Sequence, residues 1–169
     1  MRVRFKHPEY SDIILNQSVS GILAATQLCA IATIRNKARS HIHTAYFAYN
    51  NHLELFFLSD PKSQHCVNIQ VNPGVAVAVF SSRQGWARRK RGLQMFGTCA
   101  AALGRKKAEA EYRYGERFGE YRRWMKTLSA EERSALKSRF YVIKVTAMKI
   151  FDEPLFGEEV FIPISLNKG

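Results

Sequence analysis

Apolar and polar residues alternate with a period near two through much of the chain, and this rhythm predicts strands. LCAIATIR (28–35) reads as a buried strand and Asn36-Lys37 as a tight turn. ARSHIHTAYFAYN (38–50) is a second strand, and Asn50-Asn51 turns the chain into a third, HLELFFLS (52–59). These three form a meander. GVAVAVFSS (74–82) and GLQMFGTCAAALG (92–104) follow, strand-like in their β-branched and aromatic content, and RFYVIKVTAMKIF (139–151) is a long sixth strand.

Elsewhere the rhythm changes. Ser11-Asp12 and Ser20-Gly21 are helix-start signals, so short amphipathic helices are expected up to about residue 27. Residues 105–127 are rich in Glu, Arg, Lys and Ala, and SAEE (129–132) is a capping box opening another short helix, which makes 105–138 a helical excursion. Between the third and fourth strands lies SDPKSQHCVNIQVNPG (59–74). Asp60 suits the N-cap of a helix and Pro61 its first position, with Ser63 placed to bond a free N–H and Asn72-Pro73-Gly74 as the stop. Val67, Ile69 and Val71 are then expected to face the barrel. Six mostly antiparallel strands, with little room for parallel crossovers, point to one α+β domain over residues 1–169. Its expected architecture is a six-stranded split β-barrel with peripheral helices, closed so that apolar strand edges are not left open.

Composition narrows the setting. The three cysteines, Cys29, Cys66 and Cys99, lie in apolar or helical patterns without a C-x-x-C pair, which fits reduced thiols in a cytoplasmic protein. No run reaches the roughly 18 apolar residues of a membrane span, so no membrane partner is expected. The formal charge of +12 is concentrated in RQGWARRKRG, where Trp86 stands among Arg83, Arg88, Arg89, Lys90 and Arg91. Such a field attracts an anionic substrate, and with an adjacent aromatic it also suits single-stranded nucleic acid. Hydrolytic catalysis is not indicated: there is no G-x-S-x-G elbow, and the acids cluster away from the histidines.

The order of elements carries a further signal. Ser63, Asn68, Asn72-Pro73, Val75-Ala76-Val77, Leu93-Gln94 and Gly97-Thr98, taken jointly over residues 22–104, resemble the pyridoxamine 5'-phosphate oxidase-like, FMN-binding split-barrel superfamily. The resemblance implies FMN as cofactor, a homodimer, and hydride or electron transfer to a small-molecule substrate. Carried over, it places His43, Thr44, Ala45 and Tyr46 on the second-strand cofactor segment and Leu58 and Ser59 beside it. Ser63, Gln64 and His65 fall at the helix start, and Gln94 falls on the ring-contacting glutamine. Trp86 and Arg88 are assigned to the substrate side.

His43, Gln64 and His65 stand where the family commonly has Arg, Arg and Lys, so two imidazoles and an amide replace fixed cations, with Lys62 and Lys37 as compensating charges. The C-terminal Arg and His signature that reads pyridoxamine phosphate is not visible after residue 140, so that activity is not expected. A deazaflavin or haem is the alternative cofactor. Haem is considered because His41 and His43 share a strand face and could combine with His52 or His65. The alternative function is a non-enzymatic module binding haem or nucleic acid on the same barrel.

Overall fold

The computed structural model describes residues 3–5, 7–35 and 39–166; the expected Asn36-Lys37 turn and the role given to Lys37 lie outside them. One helix, α1 (Asp12–Ala25), replaces the two short ones expected. Ser11 accepts a hydrogen bond from the Ile14 N–H at 3.5 Å, whereas Ser20 and Gly21 lie within the helix. The strands are β1 (Leu28–Arg35), β2 (Arg39–Tyr49), β3 (Glu54–Ser59), β4 (Gly74–Phe80), β5 (Arg91–Ala101) and β6 (Arg139–Asp152). A seventh, β7 (Phe161–Ser165), escaped the sequence reading; Pro163 suits an edge position, where a missing N–H leaves no ladder bond unmade. Helix α2 (Gln64–Val71) joins β3 to β4. The excursion forms α3 (Gly104–Arg117), α4 (Gly119–Thr127) and α5 (Ala130–Ala135), and one turn, α6 (Glu153–Phe156), precedes β7.

All named strand pairs are antiparallel, in the order β3-β2-β1-β4-β5-β6-β7, and β3 also pairs with β6. Six strands therefore close into a barrel. β6 makes this possible by changing neighbours along its length: Arg139 to Lys144 pair with β3, while Ala147 to Phe151 pair with β7. Its register against β5 shifts between Phe96 and Gly97, a bulge that bends the ladder where β6 leaves one neighbour for the other. A side chain at 97 would collide with the Lys144 carbonyl, so glycine is required by the closeness of the backbones.

The barrel interior holds Ile31, Phe47, Leu55, Phe57, Val77, Leu93, Met95 and Ile143, joined by Leu15, Val19, Ile22 and Leu23 of α1. A second apolar cluster lies outside the barrel wall, where Ala110 and Tyr114 of α3 cover Ala48, Phe56, Phe140 and Val142. β3 is thus buried on both sides, which is why ELFFL is nearly continuous in apolar residues. Burying Leu15, Val19, Ile22 and Leu23 of α1 contributes roughly 6–12 kcal/mol before entropy is counted.

One ionic contact ties these layers together. Asp152 is wholly buried, takes two hydrogen bonds from the Arg91 guanidinium at 3.0 and 2.9 Å, and accepts a third from the Ser18 hydroxyl at 2.6 Å. It joins α1, β5 and β6, so Arg91 is not one of the free cations of its loop. Gly97→Ala is expected to cost on the order of 3 kcal/mol, a fall in Tm of roughly 6–12 °C, whereas Gly85→Ala in the exposed loop should shift it little. Thermal unfolding followed by circular dichroism measures both.

Candidate functional site

The entry to α2 differs from the sequence expectation. Asp60 does not cap the helix: its carboxylate accepts the Lys62 N–H at 2.8 Å, and its carbonyl accepts the Ser63 N–H at 3.0 Å. Pro61 lies in the resulting turn, and Ser63 is the N-cap residue. This later start rotates the helix. Cys66, Asn68 and Ile69 face inward, while Val67 and Val71, expected against the barrel, are exposed.

Because the helix starts after Ser63, its first residues lie beside the end of β3. The Ser63 hydroxyl makes no capping bond and instead lies 3.0 Å from His65 Nε2 and 3.3 Å from the Ser59 hydroxyl. Ser59 Oγ is 2.7 Å from the same imidazole nitrogen. From β2, His43 stacks on His65 with ring centroids 3.5 Å apart and planes 9° apart. His41, two residues earlier on the same strand face, adds a third ring 6.2 Å from His65. Three imidazoles and two hydroxyls therefore converge.

The electrostatics of this cluster are set by burial. Loss of water, then the neighbouring His65 and His41 rings, hold the His43 pKa down at about 4. Burial and then His41 lower that of His65. Neither buried ring nitrogen of His43 makes a hydrogen bond of normal geometry. An unpaired buried nitrogen is costly, so this ring is short of a partner. Face-to-face stacking also directs the ring nitrogens of His43 and His65 sideways rather than at one point. Among the described residues, no group of three or more His, Cys, Asp or Glu side chains could hold a metal ion.

Gln64 is drawn into holding the helix. Its amide donates to Asn68 Oδ1 at 2.8 Å, and the Asn68 amide donates to the Thr33 hydroxyl of β1 at 2.9 Å. Asn68 and Thr33 were missed as supports for the site; a polar residue on the inward face of a short helix was the available signal. His41 was seen only as a candidate haem ligand, although its spacing of two from His43 puts it in the same cluster.

The other assigned residues are dispersed. Ala45 packs against the interior core, whereas Thr44 and Tyr46 lie on the outer face of β2. Leu58 points away from Ser59 into a hollow beneath the helical excursion. Gln94 is on the outer face of β5, opposite Ala78 and Lys149. β5 is three strand positions from β2, or roughly 14 Å, so one chain does not bring Gln94 to His43. Trp86 and Arg88 are exposed on the β4–β5 loop, separated from α2 by the seven residues of β4, roughly 20 Å of strand. The outer face around Gln94 is apolar, with Leu28, Ile42, Tyr46, Phe80, Phe96 and Phe161 exposed.

Residues 15–152 match the family described as pyridoxamine 5'-phosphate oxidase. Among curated proteins, no sequence relative matches. Several solved structures share the fold. The haem storage protein HutZ from Vibrio cholerae has a TM-score of 0.62 at 15% identity, over 90% of this chain and 96% of that one. An FAD-binding protein from Mesorhizobium loti has a TM-score of 0.59 at 17% identity, over 88% and 96%. A haem binding protein from Mycobacterium smegmatis has a TM-score of 0.66 at 12% identity, over 85% of this chain and 55% of that longer one. Identities this low establish likeness of fold.

Because His43 is neutral in the folded chain and has an ordinary pKa of 6.5 when unfolded, the unfolded state binds more protons between about pH 6.5 and 4. The stability contributed by its neutral form is present above pH 6.5 and is lost as pH falls through about 4. Denaturant titrations at pH 7.5, 6 and 5 should show this acid loss, and His43→Gln should reduce its slope.

Proposed function

The chain belongs to the pyridoxamine 5'-phosphate oxidase family, and on that footing we propose that it binds flavin mononucleotide as a homodimeric oxidoreductase acting on a small molecule. The observation that carries this reading is the convergence of Ser59, Ser63, His43 and His65 at the start of α2, with both His43 nitrogens lacking a partner. These groups suit a phosphate. The hydroxyls and the free N–H groups of the first helical turn donate to its oxygens, and the imidazoles donate once protonated. When bound, the isoalloxazine ring supplies the redox chemistry by accepting or returning a hydride equivalent.

The chain's part is to hold the phosphate, seat the ring and exclude water. Among the described residues no Arg or Lys side chain bonds to Ser59, Ser63, His43 or His65, so a phosphate there draws protons onto His43 and His65, whose pKa values burial lowers. Cofactor binding is therefore coupled to proton uptake. Asn68, Gln64 and Thr33 keep α2 fixed to β1, so the hydroxyls of Ser59 and Ser63 remain near His65. The exposed apolar face that carries Gln94 is suited to a second copy, which could bring Gln94 to the partner's cofactor. Gln94 shares a shallow hollow on this face with Lys149, Phe161 and Pro163, and Lys149 and Phe161 would meet the ring or substrate there. A deazaflavin, whose phosphate is a singly charged diester, is the variant cofactor. Three buried free thiols fit action in the reducing cytoplasm.

A second reading rests on the same imidazole. A neutral buried histidine without a partner is the form that ligates iron, and two structural neighbours bind haem, so haem is the alternative occupant. Nucleic-acid binding by the β4–β5 loop would rely on Arg83, Arg88, Arg89, Lys90 and Trp86, because Arg91 is held by Asp152.

Protein mixed with excess FMN should acquire a bound-flavin spectrum and a higher Tm. Ser63→Ala and His65→Ala should each weaken binding roughly 5–10-fold, while Arg89→Ala leaves it unchanged. Affinity should fall as pH rises from 6 to 8, by as much as about tenfold per pH unit for each proton taken up. A haem Soret band without flavin uptake would favour the second reading; equal losses from all three variants would sink the assignment of the site. Size-exclusion chromatography should give a dimer, and Phe80→Lys should convert it to a monomer with weakened FMN binding.

A further inference from the structure

The helical excursion does not simply pad the barrel. α3 packs Ala110 and Tyr114 firmly, but neither α4 nor α5 contains a buried residue, although the Ser129–Glu132 capping box holds the start of α5 in both directions. Between these helices and the β3–β6 ladder lies a hollow of about 430 Å³. That is within the size range of small-molecule sites. Its walls are apolar and aromatic, with Leu58, Tyr121, Trp124, Met125 and Phe140. Its rim is basic.

Lys107 from α3, Arg133 from α5 and Arg139 at the start of β6 line the hollow together with one acid, Glu111. Among the described residues, none of these four takes part in an ion pair. Arg139 is turned toward the Leu136 and Ser138 carbonyls, whereas Lys107 and Arg133 have no hydrogen-bond partner among the described side-chain contacts. Aromatic walls accept a planar ring by stacking, and a surplus of two positive charges at the mouth favours an acidic substituent on that ring. The hollow lies across β3 from the histidines: Leu58 faces it, while Ser59 faces His65.

We propose that this hollow is a binding site for a small planar aromatic anion, an arene carboxylate or sulfonate, separate from the cofactor cluster. The rings of Tyr121, Trp124 and Phe140 hold the arene, and Arg133 and Lys107 meet the anion.

The chain has two tryptophans, Trp86 and Trp124. In Trp86→Phe, which removes an indole that is 91% exposed and has the Lys90 ammonium 5.2 Å from its ring centre, fluorescence reports Trp124 alone. The probe is 8-anilinonaphthalene-1-sulfonate, titrated with the full chain. Saturable one-to-one quenching of Trp124 is expected. Arg133→Glu and Ser134→Phe, the second filling the hollow from an exposed position without adding an indole, should each weaken it at least tenfold, with circular dichroism reporting the fold. Arg88→Glu, the same charge change in the distant loop, should leave it intact. The proposal is overturned by an absence of quenching up to about 1 mM, by unchanged affinity in Arg133→Glu, or by equal weakening in Arg88→Glu. FMN binding should be unaffected by Arg133→Glu, so failure here is distinct from failure of the flavin reading.

Discussion

The double pairing of β6 is the constraint on which the rest of the molecule depends. Its first half closes the barrel against β3, and its second half leaves the barrel to pair with β7. The bulge at Phe96/Gly97 makes the change of direction possible, and only a residue without a side chain tolerates the Lys144 carbonyl there. Where β6 ends, Asp152 receives Arg91 and Ser18. One strand thus sets the closure of the barrel, the seat of α1 and the wall against which the helical excursion rests.

Closure also decides what the histidines can do. With β2 and β3 held side by side, His41 and His43 sit inside the wall and α2 must descend beside them, so His65 stacks on His43. Burial keeps His43 uncharged, and stacking supplies contact without supplying a hydrogen bond. The family arrangement with permanent cations would hold a phosphate at any physiological pH. Under the proposed reading, an arrangement of imidazoles and hydroxyls ties phosphate occupancy to proton supply, because charging these rings without an anion places like charges 3.5 Å apart. The same ring suits iron for the opposite reason, since a ligating imidazole must be neutral.

Two surfaces remain outside that cluster, and they differ physically. The outer face of the β2-β1-β4-β5 sheet, proposed to meet a second copy, is broad and apolar. The hollow beneath α3–α5 is small, aromatic and rimmed with unpaired cations, suited to a small ligand. The loop around Trp86 is exposed, yet its base is tied down. Gln84 accepts from the Arg91 N–H, and the Glu153 carboxylate accepts from the Lys90 N–H. Its cations are therefore presented from a fixed frame.

Period-two patterning and turn residues determined the first six strands and their mostly antiparallel character, because alternation reports which residues face a core whatever that core contains, whereas the pairings of β1 with β4 and of β3 with β6 came from the tertiary structure. The joint pattern around Ser63 and Asn72-Pro73 also located the element that bears the candidate site. β7 was less legible, since FIPIS is short and contains a proline. The true start of α2 was hidden because Asp60 and Pro61 suit an Asx turn as well as a helix cap. Which site residues meet was a matter for the tertiary structure. Side chains two positions apart share a face, so His41 joins His43, but only barrel closure sets His65 against them and carries Gln94 to the other side of the sheet. Sequence order records neighbours along the chain; burial, stacking and the loss of hydrogen-bond partners arise when distant strands are brought within a few ångströms.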